Sequence, residues 1–171
     1  RLSKDEKILA RANGVTKYYD DLINNIGESS EYDKKKKLYL TLVSIQILEA
    51  VRFYVSFACS YYFDEMGKMT GNSKIIQLIN RDENLHVGFT NFLIKTLTKN
   101  PDEGFQEIIK DCEPLVKQMW IDAAQEEIAW AKYLFKDGDL FGLNAEILEQ
   151  YMYYLCNLRT KACGFGRFFD N

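Results

Sequence analysis

Histidine is almost absent from this chain, which has a single imidazole, His86, in 171 residues. Any mechanism that needs two imidazoles must therefore take the second from another chain or from a segment outside this sequence. Proline and glycine are also scarce, with two and ten residues respectively. Such a composition leaves little material for the many turns of a β-sandwich or barrel, and long stretches without either residue favour helices. We therefore expect a mostly α-helical protein.

Closely spaced cysteines are missing as well. The four cysteines (Cys59, Cys112, Cys156 and Cys163) include no pair with the spacing of a zinc knuckle or a thioredoxin-type motif, so we expect free thiols in a reduced protein. A strong charge of one sign is also lacking, since 22 basic against 25 acidic residues give a net charge of −3. That balance argues against nucleic acid or an anionic membrane as the main partner. The first residues lack the apolar core of a signal peptide, and we expect a cytoplasmic protein.

What the chain does have is apolar material, 47% of its residues, which is enough for the core of one globular domain. Apolar periodicity and breaker residues predict five helices and one helical domain over residues 1–171. Ser3 is the expected N-cap of the first helix, with Glu6 as its capping-box partner. The predicted helices cover residues 3–26, 38–63, 72 or 73 to 99, 103–136 with a break or kink at Pro114, and 146–163.

The segment 38–63 is long and apolar enough to cross a bilayer. However, Glu49 and Arg52 stand in its middle, where each charge is costly in lipid, and the mean hydropathy of the whole chain is −0.29. We therefore predict a buried helix and no membrane partner.

Two of the predicted helices carry carboxylates on otherwise apolar faces. Steps of three and four residues place Glu83 and His86 on one stripe, which we expect to face the core; Glu49 interrupts a similar stripe on the preceding long helix. A buried carboxylate is costly unless a hydrogen-bonded partner or a cation offsets the charge. The first stripe comprises Asn72, Ile76, Ile79, Glu83, His86, Thr90, Leu93 and Leu97, and the second Leu42, Ile45, Glu49, Phe53, Ser56 and Ser60.

Structural ion pairing is one interpretation of these residues, with Glu49 paired to Arg52 and Glu83 hydrogen-bonded to His86. The other is metal binding, because a Glu on one helix and a Glu-x-x-His on the next match the ligands that di-iron carboxylate bundles take from facing helices. Oxygen-rich ligation with a single imidazole suits Fe or Mn better than zinc. A further acidic cluster, Asp122, Glu126 and Glu127, is expected on an outward face, in solvated ion pairs that include Lys132.

Longer segments go beyond this spacing. Residues 47–60 (ILEAVRFYVSFACS) and 74–86 (KIIQLINRDENLH) closely resemble the two signature helices of the small, radical-bearing subunit of class I ribonucleotide reductase. Residues 123–138 (AAQEEIAWAKYLFKDG) and 142–144 resemble that subunit's downstream helix and the turn after it. The resemblance extends over nearly the whole chain and implies an all-α, ferritin-like helical bundle.

The resemblance also implies roles for individual residues. Glu49, Glu83 and His86 correspond to metal ligands of a di-iron centre, for which Mn/Fe or di-Mn are alternatives. Asp82 corresponds to an acceptor that holds the partner histidine from the other helix pair and helps the radical-transfer path. The apolar wall that keeps the radical site dry corresponds to Phe53, Phe57 and Ile79.

The upstream half of the family's core has no counterpart in this sequence. That half contributes an Asp, a second Glu-x-x-His and the radical tyrosine, so the resemblance implies a partial bundle that lacks the upstream helix pair and is inactive alone. The implied partners are the large catalytic subunit, which reduces ribonucleotides, and either a second copy in a homodimer or a missing N-terminal half. Two rival functions stay open: an R2-like Mn/Fe oxidase, and a catalytically silent helical assembly protein.

Overall fold

Six α-helices make up the computed structural model, which describes residues 6–25, 27 and 30–170. Within these residues there is no strand, and only an isolated bridge joins Leu140 to Leu143. The helical composition predicted from the scarcity of proline and glycine is confirmed. The helices are α1 (Glu6–Asn25), α2 (Glu31–Val51), α3 (Tyr54–Glu65), α4 (Thr70–Lys99), α5 (Gln106–Leu134) and α6 (Ala145–Cys163).

The long helix predicted over 38–63 is wrong in two respects. It begins earlier, because the Ser30 side chain accepts a hydrogen bond from the Asp33 amide and caps α2 ahead of the lysine run. It is also interrupted at Arg52 and Phe53, which separate α2 from α3. No glycine or proline marks this break, so local sequence does not reveal it.

The other helix boundaries lie close to those predicted. Helix α4 ends before Pro101, and α5 continues through Pro114, which therefore does not break it. Helix α6 starts where the Asn144 side chain accepts from the amide of Ile147. The predicted N-cap of α1, Ser3, lies outside the described residues.

Helix α2 is the central element of the fold and packs against α1, α4, α5 and α6. Its fully buried side chains meet those of α5 and α6 in one apolar cluster that includes Val43, Val51, Trp120 and Met152. This packing places α2 and α4 side by side, with α1 on another side of α2. The pairing of α2 with α4 positions the candidate site.

One stretch of the described residues, Glu31–Glu65, is apolar and long enough to cross a membrane, with a hydropathy of 1.5 in its most apolar window. Half of that window is buried inside the protein. Core helices of soluble proteins commonly meet the same criteria, so the stretch is weak evidence for a membrane span.

Candidate metal centre

Three side chains predicted as ligands converge between α2 and α4. Nδ1 of His86 lies 3.3 Å from Oε2 of Glu49 and 3.2 Å from Oε2 of Glu83. One donor atom from each residue lies within 4.8 Å of the other two. We call Glu49, Glu83 and His86 the triad; among the described residues it is the one group of this kind.

The orientation of α4 differs from the predicted one. Glu83 does face inward, but His86 stands at the edge of the helix contact, with 58% of its side chain exposed, and Ile79 is 39% exposed. Apolar residues occur on both sides of α4, so periodicity alone predicted only half of the inward stripe: Ile76, Glu83, Thr90 and Leu97. The inward stripe consists of Ser73, Ile76, Asn80, Glu83, Val87, Thr90, Ile94 and Leu97.

Like charges meet in the triad. Burial raises the pKa of Glu83 to about 7, and the hydrogen bond and negative charge of Glu49 act in the same direction. Hydrogen bonds from His86 to Glu49 and Glu83 raise the pKa of the imidazole. Without a cation, the triad therefore retains protons that two separate carboxylates would release. A bound metal ion relieves the repulsion between such carboxylates.

The donor geometry fits a metal ion. Donors bound to one first-row transition metal at about 2.1 Å lie at most about 4.2 Å apart, and the triad needs only a small contraction to reach that arrangement. Two carboxylates and one imidazole leave coordination positions open. A pair of metal ions requires further carboxylates, which the triad does not include.

Arg52 and the acidic residues of α5 form a separate arrangement. Arg52 donates to the carboxylate of Glu126 across the contact between α2 and α5, and Lys132 pairs with Glu149 at 3.0 Å. The expectation that the acidic cluster of α5 is solvated is wrong for Glu127, which is fully buried. Periodicity missed this because Glu126 and Glu127 are adjacent on the helix and only one of them faces the core.

Two aromatic residues of the predicted apolar wall pack against each other. Phe57 is buried and Phe53 is half-buried, with their ring centroids 6.0 Å apart. Ile79 and Asp82 lie on the outer side of α4. The Asp82 side chain is 58% exposed, and its Oδ1 lies 3.8 Å from Nε of Arg81. The described residues alone therefore do not close a dry pocket around the triad.

Sequence reasoning missed a hydrogen-bonded connection behind the triad. Arg159 of α6 donates to the hydroxyl of Tyr54 at 2.7 Å and to Oδ1 of Asn84 at 2.6 Å. The guanidinium also lies over the Tyr54 ring, 5.4 Å from its centroid. These contacts tie α6 to α3 and to the residue after Glu83. Because Tyr54 and Arg159 are 105 residues apart, no local motif could have indicated them.

Comparison with known proteins identifies one family. The family model described as "Ribonucleotide reductase, small chain" matches residues 1–171. Among curated relatives, the ribonucleoside-diphosphate reductase subunit beta of Buchnera aphidicola subsp. Baizongia pistaciae is 44% identical, and that of Haemophilus influenzae is 41% identical. Each alignment covers 94% of this chain and 47% of the relative. The chain thus spans about half the length of these curated relatives.

A solved structure shows the same helical arrangement. The ribonucleotide reductase R2 subunit from Clostridium botulinum superposes with a TM-score of 0.85 at 29% sequence identity. The superposition covers 97% of this chain and 49% of that one. The predicted all-α, ferritin-like fold class and the resemblance stated from the sequence are both confirmed.

Proposed function

Because the chain belongs to the ribonucleotide reductase small chain family, we propose that it supplies one half of a dimetal-carboxylate centre, with Glu49, Glu83 and His86 as its ligands. The observation that carries this proposal is the convergence of the three donor atoms within 4.8 Å. In helical bundles of this class, two helices each give a Glu and two others each give a Glu-x-x-His. Helices α2 and α4 carry one of each.

The metal we propose is iron, with Mn/Fe or di-Mn as alternatives, because the donors are mostly carboxylate oxygens. When bound, such metals supply the activation of O₂ and the one-electron oxidation that creates a protein radical. The chain's own residues hold the site. Glu83 and Glu49 supply negative charge at one point, and the packing of α2 against α4 fixes their separation.

The remaining predicted residues act in this proposal only when the second half of the site is present. Asp82 is exposed one turn from His86, and its proposed role is to accept a hydrogen bond from a histidine on a complementary helix pair. The same pair would cover Ile79, and together with Phe53 and Phe57 it would exclude water from the metals. We therefore propose that the 171 residues are one helical domain, equivalent to the downstream half of the family's core.

For the whole protein we propose the activity that gives the relatives their name, ribonucleoside-diphosphate reductase subunit beta. Its radical would serve a large catalytic subunit that reduces ribonucleotides, and its location would be cytoplasmic. The triad by itself contains half of the ligands, so we propose that the 171-residue chain alone has no reductase activity.

Anaerobic titration of the metal-free chain with Mn²⁺, followed by calorimetry, tests the proposal. We expect about one ion per chain, and at least a tenfold weaker affinity in Glu49→Gln and in His86→Gln. Glu126→Gln is the matched control, because it removes a carboxylate that pairs with Arg52 outside the triad. Equal Mn²⁺ affinity in all four proteins would contradict the proposal and would favour a structural role for the triad.

A further inference from the structure

A series of side-chain hydrogen bonds behind the triad joins three helices. Nη2 of Arg159 on α6 donates to the hydroxyl of Tyr54 at 2.7 Å and to Oδ1 of Asn84 at 2.6 Å. Nδ2 of Asn84 donates to the carbonyl of Asn80 at 2.7 Å, and Nδ2 of Asn80 donates to the hydroxyl of Tyr61 at 3.0 Å. We call these five residues the Arg159 bridge. It begins and ends on α3, and its other members lie on α6 and α4.

The Arg159 bridge contacts both chain segments that carry the carboxylates of the triad. Asn84 directly follows Glu83 on α4, whereas Glu49 lies in the last turn of α2 and Tyr54 is the first residue of α3. Because two residues interrupt the helix between α2 and α3, contacts with neighbouring helices have to fix how α3 and α4 lie beside this point. Tyr54 is only 4% exposed, so its hydroxyl is a fixed point of attachment.

We propose that Arg159 is the positioning residue of the triad. By joining Asn84 to the buried Tyr54, Arg159 fixes the rotation of α4 about its own axis. That rotation decides whether Glu83 faces Glu49. Two facing carboxylates repel each other when both are ionised, and a rotation of α4 that separates them would relieve the repulsion. The two hydrogen bonds of Arg159 oppose this rotation. The inference deepens the proposed function and rests on it for the role of the triad.

A small rotation of α4 is enough to disturb the triad. A carboxylate at the end of a helical side chain lies about 6 Å from the helix axis, so a rotation of roughly 10° moves it by about 1 Å. Ligand groups have to be held within about 0.5 Å of their productive positions. The guanidinium is suited to this task because Nη2 carries two hydrogens in fixed directions, one for each acceptor, whereas a lysine ammonium has no such planar arrangement.

Asn91 offers a matched control on the same helix. It lies seven residues after Asn84, and therefore on the same side of α4, and its Nδ2 donates to the carbonyl of Ala162 on α6 at 3.4 Å. Asn91→Ala thus removes a hydrogen bond between α4 and α6, as Asn84→Ala does, but about 10 Å further along the helix. If Arg159 acts on Glu83, only the substitution beside the triad should alter metal binding.

Calorimetric titration of Mn²⁺ into the metal-free 171-residue chain measures the effect on the triad. We expect roughly three- to tenfold weaker binding in Asn84→Ala and in Arg159→Lys, because both act on the ligands through α4 and not on the metal itself. Asn91→Ala should bind Mn²⁺ as the unsubstituted chain does. Arg159→Lys keeps the positive charge, so it separates the geometry of the guanidinium from its charge.

Electron paramagnetic resonance of the bound Mn²⁺ distinguishes positioning from a general loss of stability. Looser ligand geometry should broaden the distribution of zero-field splittings in Asn84→Ala and Arg159→Lys, and Asn91→Ala should leave it unchanged. A loss of stability alone lowers the unfolding temperature without changing the spectrum of an ion that is bound to the folded chain.

Hydrogen exchange in the presence of a chelator gives a readout that needs no metal. Peptides that cover α4 around Glu83 should exchange faster in Asn84→Ala and Arg159→Lys than in the unsubstituted chain or in Asn91→Ala. Arg159→Lys is the more informative variant, since it leaves the sequence of α4 unchanged.

The possible failures can be told apart. Mn²⁺ affinities and spectra that are the same in all four proteins overturn the positioning role and leave the proposed function standing. Equal losses in Asn84→Ala and Asn91→Ala show only that α6 docks on α4, and they also overturn it. If the unsubstituted chain binds no Mn²⁺, the proposed function is contradicted and hydrogen exchange decides: faster exchange in only the two variants of the Arg159 bridge supports the positioning role, and equal exchange overturns it.

Discussion

Replacing Glu83 by Gln should stabilise the metal-free chain at alkaline pH, although it removes a proposed ligand. Burial and the neighbouring Glu49 raise the pKa of Glu83 from 4.5 to about 7 in the folded chain. The folded state therefore binds this proton more tightly than the unfolded state does. The associated stability is fully present below pH 4.5 and is lost as the pH rises through about 7. The amide of Gln carries no charge and still offers a donor to Glu49.

The size of the effect follows from the same pKa. The difference between 4.5 and about 7 corresponds to at most about 3.5 kcal/mol at about 1.4 kcal/mol per pH unit. Screening by water at the edge of the triad reduces this, and we expect Glu83→Gln to gain about 1 kcal/mol at pH 8. At pH 5 Glu83 is mostly protonated, so the substitution should gain little there.

Urea unfolding followed by circular dichroism, with a chelator present, at pH 5 and pH 8 measures this difference. The control is Glu126→Gln, which breaks the ion pair with Arg52 and should cost up to about 1 kcal/mol at pH 8. A Glu83→Gln chain that is less stable than the unsubstituted chain at pH 8 would refute the reasoning. It would show that the triad is a net stabilising ion pair and not a site of unrelieved negative charge.

Three further predictions concern the triad and its support. The two carboxylate partners of His86 raise the pKa of its imidazole, so the stabilising contribution of the protonated ring is present below pH 6.5 and declines as the pH rises through the higher folded-state pKa. A pH titration of the imidazole ring protons by NMR, on the metal-free chain, should show this raised pKa, and Glu49→Gln should lower it. Arg159→Ala removes the contacts to Tyr54 and Asn84 and should cost about 1–3 kcal/mol in thermal unfolding, with partial rescue by Arg159→Lys. Asn144→Ala removes the N-cap of α6 and should cost about 1 kcal/mol in urea unfolding, whereas no loss would contradict the capping role.

The convergence of the triad could be predicted because its elements are local. Glu83 and His86 are spaced to share one side of a helix, and Glu49 stands inside a long apolar run that had to be a core helix. The two helices are joined by tertiary packing, and it was the family resemblance that predicted their pairing. Periodicity alone left both an ion pair and a metal site open.

The sequence could not predict which side of α4 is buried against the core, or that a break separates α2 from α3. Helix α4 has apolar residues on two sides, and only the packing of α2 determines that Val87 and Ile94 are buried while Leu85 and Phe89 are exposed. No glycine or proline stands at the interruption at Arg52 and Phe53, so no local signal indicates it. Both features depend on contacts between residues far apart in the chain.

The most direct test of the central claim is to count imidazole nitrogens on bound Mn²⁺ by pulsed electron paramagnetic resonance. If Glu49, Glu83 and His86 are metal ligands, the Mn²⁺-loaded chain should show the hyperfine signal of one directly bound imidazole nitrogen per ion. His86→Gln should abolish that signal, and Glu126→Gln should leave it unchanged. A Mn²⁺ ion that shows no nitrogen coupling in the unsubstituted chain would contradict the claim that the triad is half of a metal centre.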